Sequence, residues 1–172
     1  MKLGKLLLSA IIGVLLLANF SESQAQKRVK NYLYAVTGNP VALAWNNLPV
    51  TYEQQIGPKH SFTGFFNLNF KTDWLAYMAG GSYRMYFDVG RAKPINGLSA
   101  GPVLTFGSWD YDGTAKEGGI SVGIGAEIAY KMIFNEGFVI EPIAQVSYNV
   151  VKPEDLDYDA ALILGFNIGY AW

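Results

Sequence analysis

Apolar side chains alternate with small or polar ones along the last eleven residues of the chain, Leu162–Trp172. Every second residue there is large and apolar, and the residues between are mostly glycine, alanine or asparagine. A repeat of two residues is that of a β-strand, whose successive side chains point to opposite faces. The pattern predicts a strand that has one strongly apolar face and ends on the aromatic Trp172.

The same alternation recurs upstream between turn signals, and it predicts seven more strands. They are Lys30–Gly38, Val41–Ile56, His60–Phe70, Trp74–Asp88, Gly97–Trp109, Gly119–Phe134 and Phe138–Val150. The alternation is weakest in the first, and without it the count falls to seven. Pro49 in the second predicts a bulge or a strand start, because proline cannot donate to a ladder. Strands of a soluble β-sandwich would show the same alternation. In a closed antiparallel barrel, the architecture supported by the last strand below, an even count of eight puts both ends on the same side.

The segments between the predicted strands differ in length. Gly57–Lys59 and Asn135–Gly137 are tight turns, and the second favours positive φ. Asp110–Gly118 and Val151–Asp157 are longer and polar, and strand order places them at the opposite end of the barrel. Two further connectors are predicted, the turn Lys71–Asp73 and the segment Val89–Asn96. The second is longer than a typical turn at its end of the barrel, and the pattern does not explain its length.

One continuous apolar run, Leu6–Ala18, lies near the N-terminus behind Lys2 and Lys5. Small residues follow at Ser23–Ala25, so Met1–Ala25 is predicted to be a secretory signal peptide, with the mature chain starting near Gln26. A membrane anchor is the alternative, but the run is shorter than the roughly 20 residues that span a bilayer.

The composition of the chain excludes several kinds of site and partner. The 172 residues include no cysteine, which excludes disulfides, a thiol nucleophile, cysteine metal sites and a lipoprotein anchor. A formal net charge of −1 provides no basic field for nucleic acid. Hydrophobic residues make up 51% of the chain, but mean hydropathy is only +0.15, so polar residues are interspersed among them.

Five charged residues fall on the less apolar face of their predicted strands. They are Glu53, Arg84, Glu127, Lys131 and Glu141. The interior of an eight-stranded barrel is just wide enough to be filled by side chains, and a charge buried there needs a partner. We therefore predict a network of ion pairs that plugs the lumen. A gated proton or ion path would use the same groups and is the alternative.

Catalytic chemistry has little support in the sequence. His60 is the only histidine, and Ser61 is its neighbour. Adjacent residues on a strand point to opposite faces, so these two cannot form a nucleophile–base pair. We expect neither a catalytic site nor a cofactor.

Metal binding is also weakly supported. Asp110–Gly113 begins like a calcium loop, but the sixth and twelfth positions are Ala115 and Ser121 instead of glycine and glutamate. The carboxylates of this segment and of the Glu154–Asp159 region are read as a solvated rim. Such a rim could bind divalent ions that bridge lipopolysaccharide phosphates.

The last predicted strand resembles a known sequence signal. Phe166, Ile168, Tyr170 and the terminal Trp172 match the alternating apolar signal with a final aromatic that ends bacterial outer-membrane β-barrels. The chain resembles the small eight-stranded members, which include the OmpA transmembrane domain and OmpX. The resemblance implies an all-β, up-and-down transmembrane barrel over residues 26–172, located in the outer membrane of a Gram-negative cell. It also implies contact with lipid and lipopolysaccharide and assembly by the barrel-assembly machinery.

Three functions fit such a barrel. The first is a non-enzymatic membrane protein with a plugged lumen, in which the loops make any contacts. The second is a small pore or transporter for ions or small solutes. The third, a barrel enzyme acting on lipid, is disfavoured because no catalytic set is present. The sequence names no ligand and no protein partner.

Overall fold

A computed structural model describes residues 32–71, 74–87, 95–111, 119–152 and 159–172. They form a closed barrel of eight antiparallel strands in chain order, and the last strand pairs with the first. The predicted all-β, antiparallel up-and-down barrel is confirmed. The predicted signal peptide, Met1–Ala25, lies outside the described residues, as do residues 30–31 and 88 of the predicted strands and residues 72–73, 89–94, 112–118 and 153–157 of the predicted connectors.

In the described part of the chain, one short α-helix lies among the strands. The elements are β1 (Tyr34–Gly38), α1 (Pro40–Leu43), β2 (Asn47–Gly57), β3 (His60–Lys71), β4 (Trp74–Phe87), β5 (Gly97–Tyr111), β6 (Gly119–Ile133), β7 (Phe138–Val151) and β8 (Ala160–Ala171). No helix among the described residues is long and apolar enough to cross a membrane. Asn135–Gly137 forms a 3-10 turn in which Glu136 and Gly137 have positive φ, as the sequence predicts.

The predicted second strand, Val41–Ile56, is wrong over its first six residues, because α1 lies there and β2 begins only at Asn47. Asn39 caps α1: its Oδ1 accepts hydrogen bonds from the backbone N–H groups of Val41 at 3.0 Å and Ala42 at 3.2 Å. Pro40 occupies the first turn, where its missing N–H costs nothing. This local capping overrides the β-propensity of the segment.

Other boundaries move by a few residues. The first predicted strand shortens to the five residues of β1, and Tyr32 and Leu33 precede it without strand structure. β5 continues through Asp110 and Tyr111, and β7 through Val151, so the predicted loops Asp110–Gly118 and Val151–Asp157 begin later. The register irregularity of β2 lies between Gln55 and Gly57 and not at Pro49. Pro49 immediately precedes the part of β2 that pairs with β1, which starts at Val50.

The shortness of β1 leaves one seam in the wall. We call the end of the barrel that holds Trp172 and the β2–β3 turn the lower end, and the opposite end the upper end. β1 pairs with β8 only at its lower part, Ile168–Ala171, although β8 extends up to Ala160. Above β1 the helix α1 takes the place of a strand and contacts both β2 and β8.

The two faces of the wall differ sharply in character. Large apolar side chains point outward from every strand, whereas most inward positions hold small, polar or charged residues. An apolar cluster closes the lower end of the interior. It consists of Tyr32, Ala35, Tyr86, Ile95, Val139 and Ala171, with Ile133 packed against it.

Candidate functional site in the barrel interior

The structure brings all five predicted interior charges together in one buried cluster. Glu53 projects from β2, Arg84 from β4, Glu127 and Lys131 from β6, and Glu141 from β7. Strand alternation is the reason, since each lies at an inward position of its strand. Arg84 and Lys131 are each only 1% exposed.

Arg84 is the centre of this cluster, which we call the ion-pair network. Its Nη1 lies 3.0 Å from Glu53 Oε2 and 3.1 Å from Glu141 Oε2. Its Nε lies 2.5 Å from Glu127 Oε1. One guanidinium therefore joins β4 to three other strands, using the fixed fork of donors that distinguishes arginine from lysine.

Lys131 completes the network. Its ammonium contacts Glu53 and lies 2.9 Å from Glu141 Oε2. Two cations thus share three carboxylates, and Glu53 and Glu141 each contact both cations. Ion pairs of this kind satisfy buried charges that would be costly if left alone.

Neutral side chains complete the hydrogen bonding of the carboxylates. Glu53 Oε1 accepts from Ser61 Oγ at 2.5 Å and from the Tyr86 hydroxyl at 2.6 Å. Glu127 Oε1 accepts from Ser82 Oγ at 2.5 Å, and Glu141 Oε1 accepts from Asn167 Nδ2 at 3.4 Å. Sequence reasoning missed these four partners. Strand parity places Ser82 and Tyr86 on the same face as Arg84, and that signal could have found them.

Ser61 and His60, the two residues considered for catalysis, lie on opposite faces of β3. Ser61 is fully buried and donates to Glu53. His60 lies on the other face, where its Nδ1 is 2.8 Å from the Tyr83 hydroxyl and its ring stacks on Tyr83 at 5.5 Å. The predicted separation of His60 from Ser61 is confirmed.

Metal ligands do not cluster in the part of the chain that the structure describes. No group of three or more histidine, cysteine, aspartate or glutamate side chains there could hold a metal ion. Most of the segment that begins like a calcium loop, residues 112–118, lies outside the described residues. Its interpretation as a solvated acidic rim therefore stays a prediction.

The residues of the predicted assembly signal all lie on the outer face of β8. Phe166, Ile168, Tyr170 and Trp172 are exposed. Trp172 stacks on Tyr170 at 6.4 Å and on Tyr34 at 5.9 Å, and Tyr34 stacks on Tyr52 at 6.4 Å. These contacts form an aromatic row on the lower outer wall across β8, β1 and β2.

Comparisons with models of known protein families, with curated proteins and with solved structures give no match for this chain.

Proposed function

We propose that the chain is an integral outer-membrane protein whose barrel crosses the bilayer and whose lumen is plugged. One observation carries the proposal, the inverted polarity of the barrel. Leu162 and Leu164 on the outer face are 70% and 72% exposed, whereas the charges of the ion-pair network are buried inside. In water this arrangement would leave a continuous apolar surface far beyond the few hundred Å² that a soluble monomer exposes.

Lipid is the solvent that suits such a wall. Transmembrane barrels have an apolar outer band with aromatic residues at the interfaces and polar residues inside. The aromatic row of Tyr52, Tyr34, Trp172 and Tyr170 would form part of one such girdle at the lower end. Closure of β8 on β1 over Ile168–Ala171 supports the same location, because backbone groups exposed to hydrocarbon must be paired, and α1 contacts β8 above that ladder.

The plugged lumen favours a non-enzymatic role, structural or in surface contacts through the upper loops. Lipid and lipopolysaccharide would surround the wall, and the barrel-assembly machinery would read the last strand. The alternative is a small pore. It is favoured by a cavity of about 260 Å³ above the network, which shows that side chains do not fill the interior completely.

A pair of charge substitutions on the outer face tests the location. Leu104 lies near the middle of β5, and Tyr130 lies near the lower end of β6. Leu104→Arg should destabilise the assembled barrel by about 2–4 kcal/mol, and Tyr130→Arg by about 0–1 kcal/mol, because the cost of a lipid-facing charge depends on depth. The readout is unfolding of the purified protein from lipid vesicles, with fractionation of cell envelopes in parallel. Recovery in the soluble fraction, or equal effects of both variants, would contradict the proposal.

A further inference from the structure

The cavity of about 260 Å³ lies in the upper interior, with Arg84 and Glu127 of the ion-pair network at its inner end. Its walls come from several strands, and Asn39 and Ala42 of the α1 segment contribute to it at the seam. The cavity therefore exists where β1 has ended and a four-residue helix covers the wall. It is independent of the apolar cluster at the lower end.

Two buried amide groups on the cavity wall lack hydrogen-bond partners within the protein. They are Nε2 of Gln145 on β7, a donor, and Oδ1 of Asn67 on β3, an acceptor. Gln145 is only 7% exposed. Buried polar atoms in native proteins are nearly always satisfied, so these two point to partners supplied from within the cavity.

The positions of the two amides define what could join them. β3 and β7 are four strands apart in a barrel of eight, so the amides face each other across the lumen. The lining includes the apolar side chains of Phe65, Met78 and Ile143 together with the polar ones of Asn39, Asn47, Thr51 and Asn167. A bound molecule would need an apolar body with a donor at one end and an acceptor at the other.

Charge at the inner end restricts the ligand further. The network holds three carboxylates against two cations, which disfavours an anion. Arg84 lines the cavity itself and disfavours a cation close to its guanidinium. A neutral molecule is repelled neither by the excess carboxylate nor by the Arg84 guanidinium. Sites for drug-sized ligands occupy about 300–1,000 Å³, so this smaller cavity suits a compact molecule.

We infer that the upper lumen is a binding site for a small neutral molecule that has an apolar, preferably aromatic, body and polar groups at both ends. Its donor binds Asn67 Oδ1 and its acceptor binds Gln145 Nε2. The ion-pair network forms the floor of the site and stops the molecule from passing further down the barrel. The inference does not require the membrane location proposed above.

A probe of the required shape is para-hydroxyphenylacetamide, which has a hydroxyl at one end, a carboxamide at the other and a ring between. Binding to the purified full chain in detergent is measured by saturation-transfer NMR at millimolar probe. The matched probe is para-hydroxyphenylacetate, in which a carboxylate replaces the amide. We expect the amide to bind and the carboxylate to bind at least tenfold more weakly.

Variants show whether the bound probe occupies this cavity. Gln145→Ala and Asn67→Ala should each weaken binding about three- to tenfold, the usual effect of one hydrogen bond. Gln55→Ala is the control, because Gln55 is also a partly buried amide but does not line the cavity. Ile143→Trp, which enlarges a partly buried lining side chain without removing a hydrogen-bonding group, should abolish binding.

Three results would overturn the inference. One is failure of the amide to bind the wild-type chain. Another is equal binding by wild type and Gln145→Ala, as expected if water alone satisfies the amides. The third is equal binding of the two probes. Each variant is first checked for the gel migration of the folded barrel, and a variant that does not fold is replaced by Gln145→Leu or Asn67→Leu, which keep the side-chain volume.

Discussion

Trp172 and Tyr34 join the last strand of the barrel to the first through both main chain and side chain. The N–H of each donates to the carbonyl of the other at 3.0 Å, and their rings lie 5.9 Å apart. The β1–β8 ladder otherwise consists of four residue pairs, from Ala35–Ala171 to Gly38–Ile168. The final residue of the chain therefore adds substantially to the shortest ladder in the barrel.

Deletion of Trp172 should impair closure, because it removes these backbone hydrogen bonds together with the stacked ring. Trp172→Phe keeps the main chain and an aromatic ring, and it should assemble nearly as well as wild type. The measurement is the fraction of protein that migrates as the compact form on a gel without boiling. Equal fractions for the deletion and the wild type would show that the terminal pair does not matter for closure.

Gly169 on β8 pairs with Thr37 of β1. A β-carbon there would collide with the carbonyl oxygen of Val36, so no side chain fits without moving the strands apart. Gly169→Ala should destabilise the barrel by about 1–3 kcal/mol, the usual cost of overpacking.

Gly64 supplies the control for that substitution. A β-carbon at Gly64 would meet nothing within 4 Å, so Gly64→Ala should change stability by less than about 1 kcal/mol. Urea unfolding from lipid vesicles compares the two variants. Similar losses for both would count against close approach as the cause.

Arg84→Ala should lower the free energy of unfolding by about 3–5 kcal/mol. The reason is that Glu127 loses its ion pair and that Glu53 and Glu141 keep only Lys131 as a partner. Lys152→Ala is the control, since its ion pair with Asp159 is largely exposed. Exposed pairs contribute up to about 1 kcal/mol. Both variants are unfolded with urea in the same vesicles, and an Arg84→Ala barrel of normal stability would contradict a structural role for the network.

Ion conductance distinguishes the plugged barrel from the pore. In a planar bilayer the wild-type protein should show little steady conductance, because the network ties β2, β4, β6 and β7 across the lumen. A variant in which Glu53, Arg84 and Lys131 are all alanine should leak if it still folds. Large and stable wild-type conductance would instead favour the pore.

The start of the mature protein tests the signal-peptide prediction. Protein purified from cell envelopes should begin near Gln26 when its N-terminus is sequenced by mass spectrometry. A matched variant with Ala25 changed to Arg should be cleaved poorly, because the residue before the cleavage site must be small. Recovery of Leu6–Ala18 in the mature wild-type protein would favour the anchor.

Alternation along the chain was sufficient to predict the strands and the face on which each charge lies, whereas the closed barrel was predicted from the resemblance of the last strand to outer-membrane barrels. The alternation is local information, because a strand repeats every two residues whatever its neighbours are. It placed Glu53, Arg84, Glu127, Lys131 and Glu141 inside before any strand pairing was known. The Asn39–Pro40 pair is a helix-start signal that was present in the sequence and outweighed by the apolar residues after it.

Tertiary structure decided which of these charges meet and where the wall is interrupted. Arg84 reaches Glu53, Glu127 and Glu141 because strand register and closure set their relative heights, and neither is encoded in the alternation of a single strand. The end of β1 at Gly38 fixes the seam beside α1, and the seam in turn helps to form the cavity between Asn67 and Gln145. Parity within a strand is a short-range property, whereas contacts across a lumen depend on all eight strands at once.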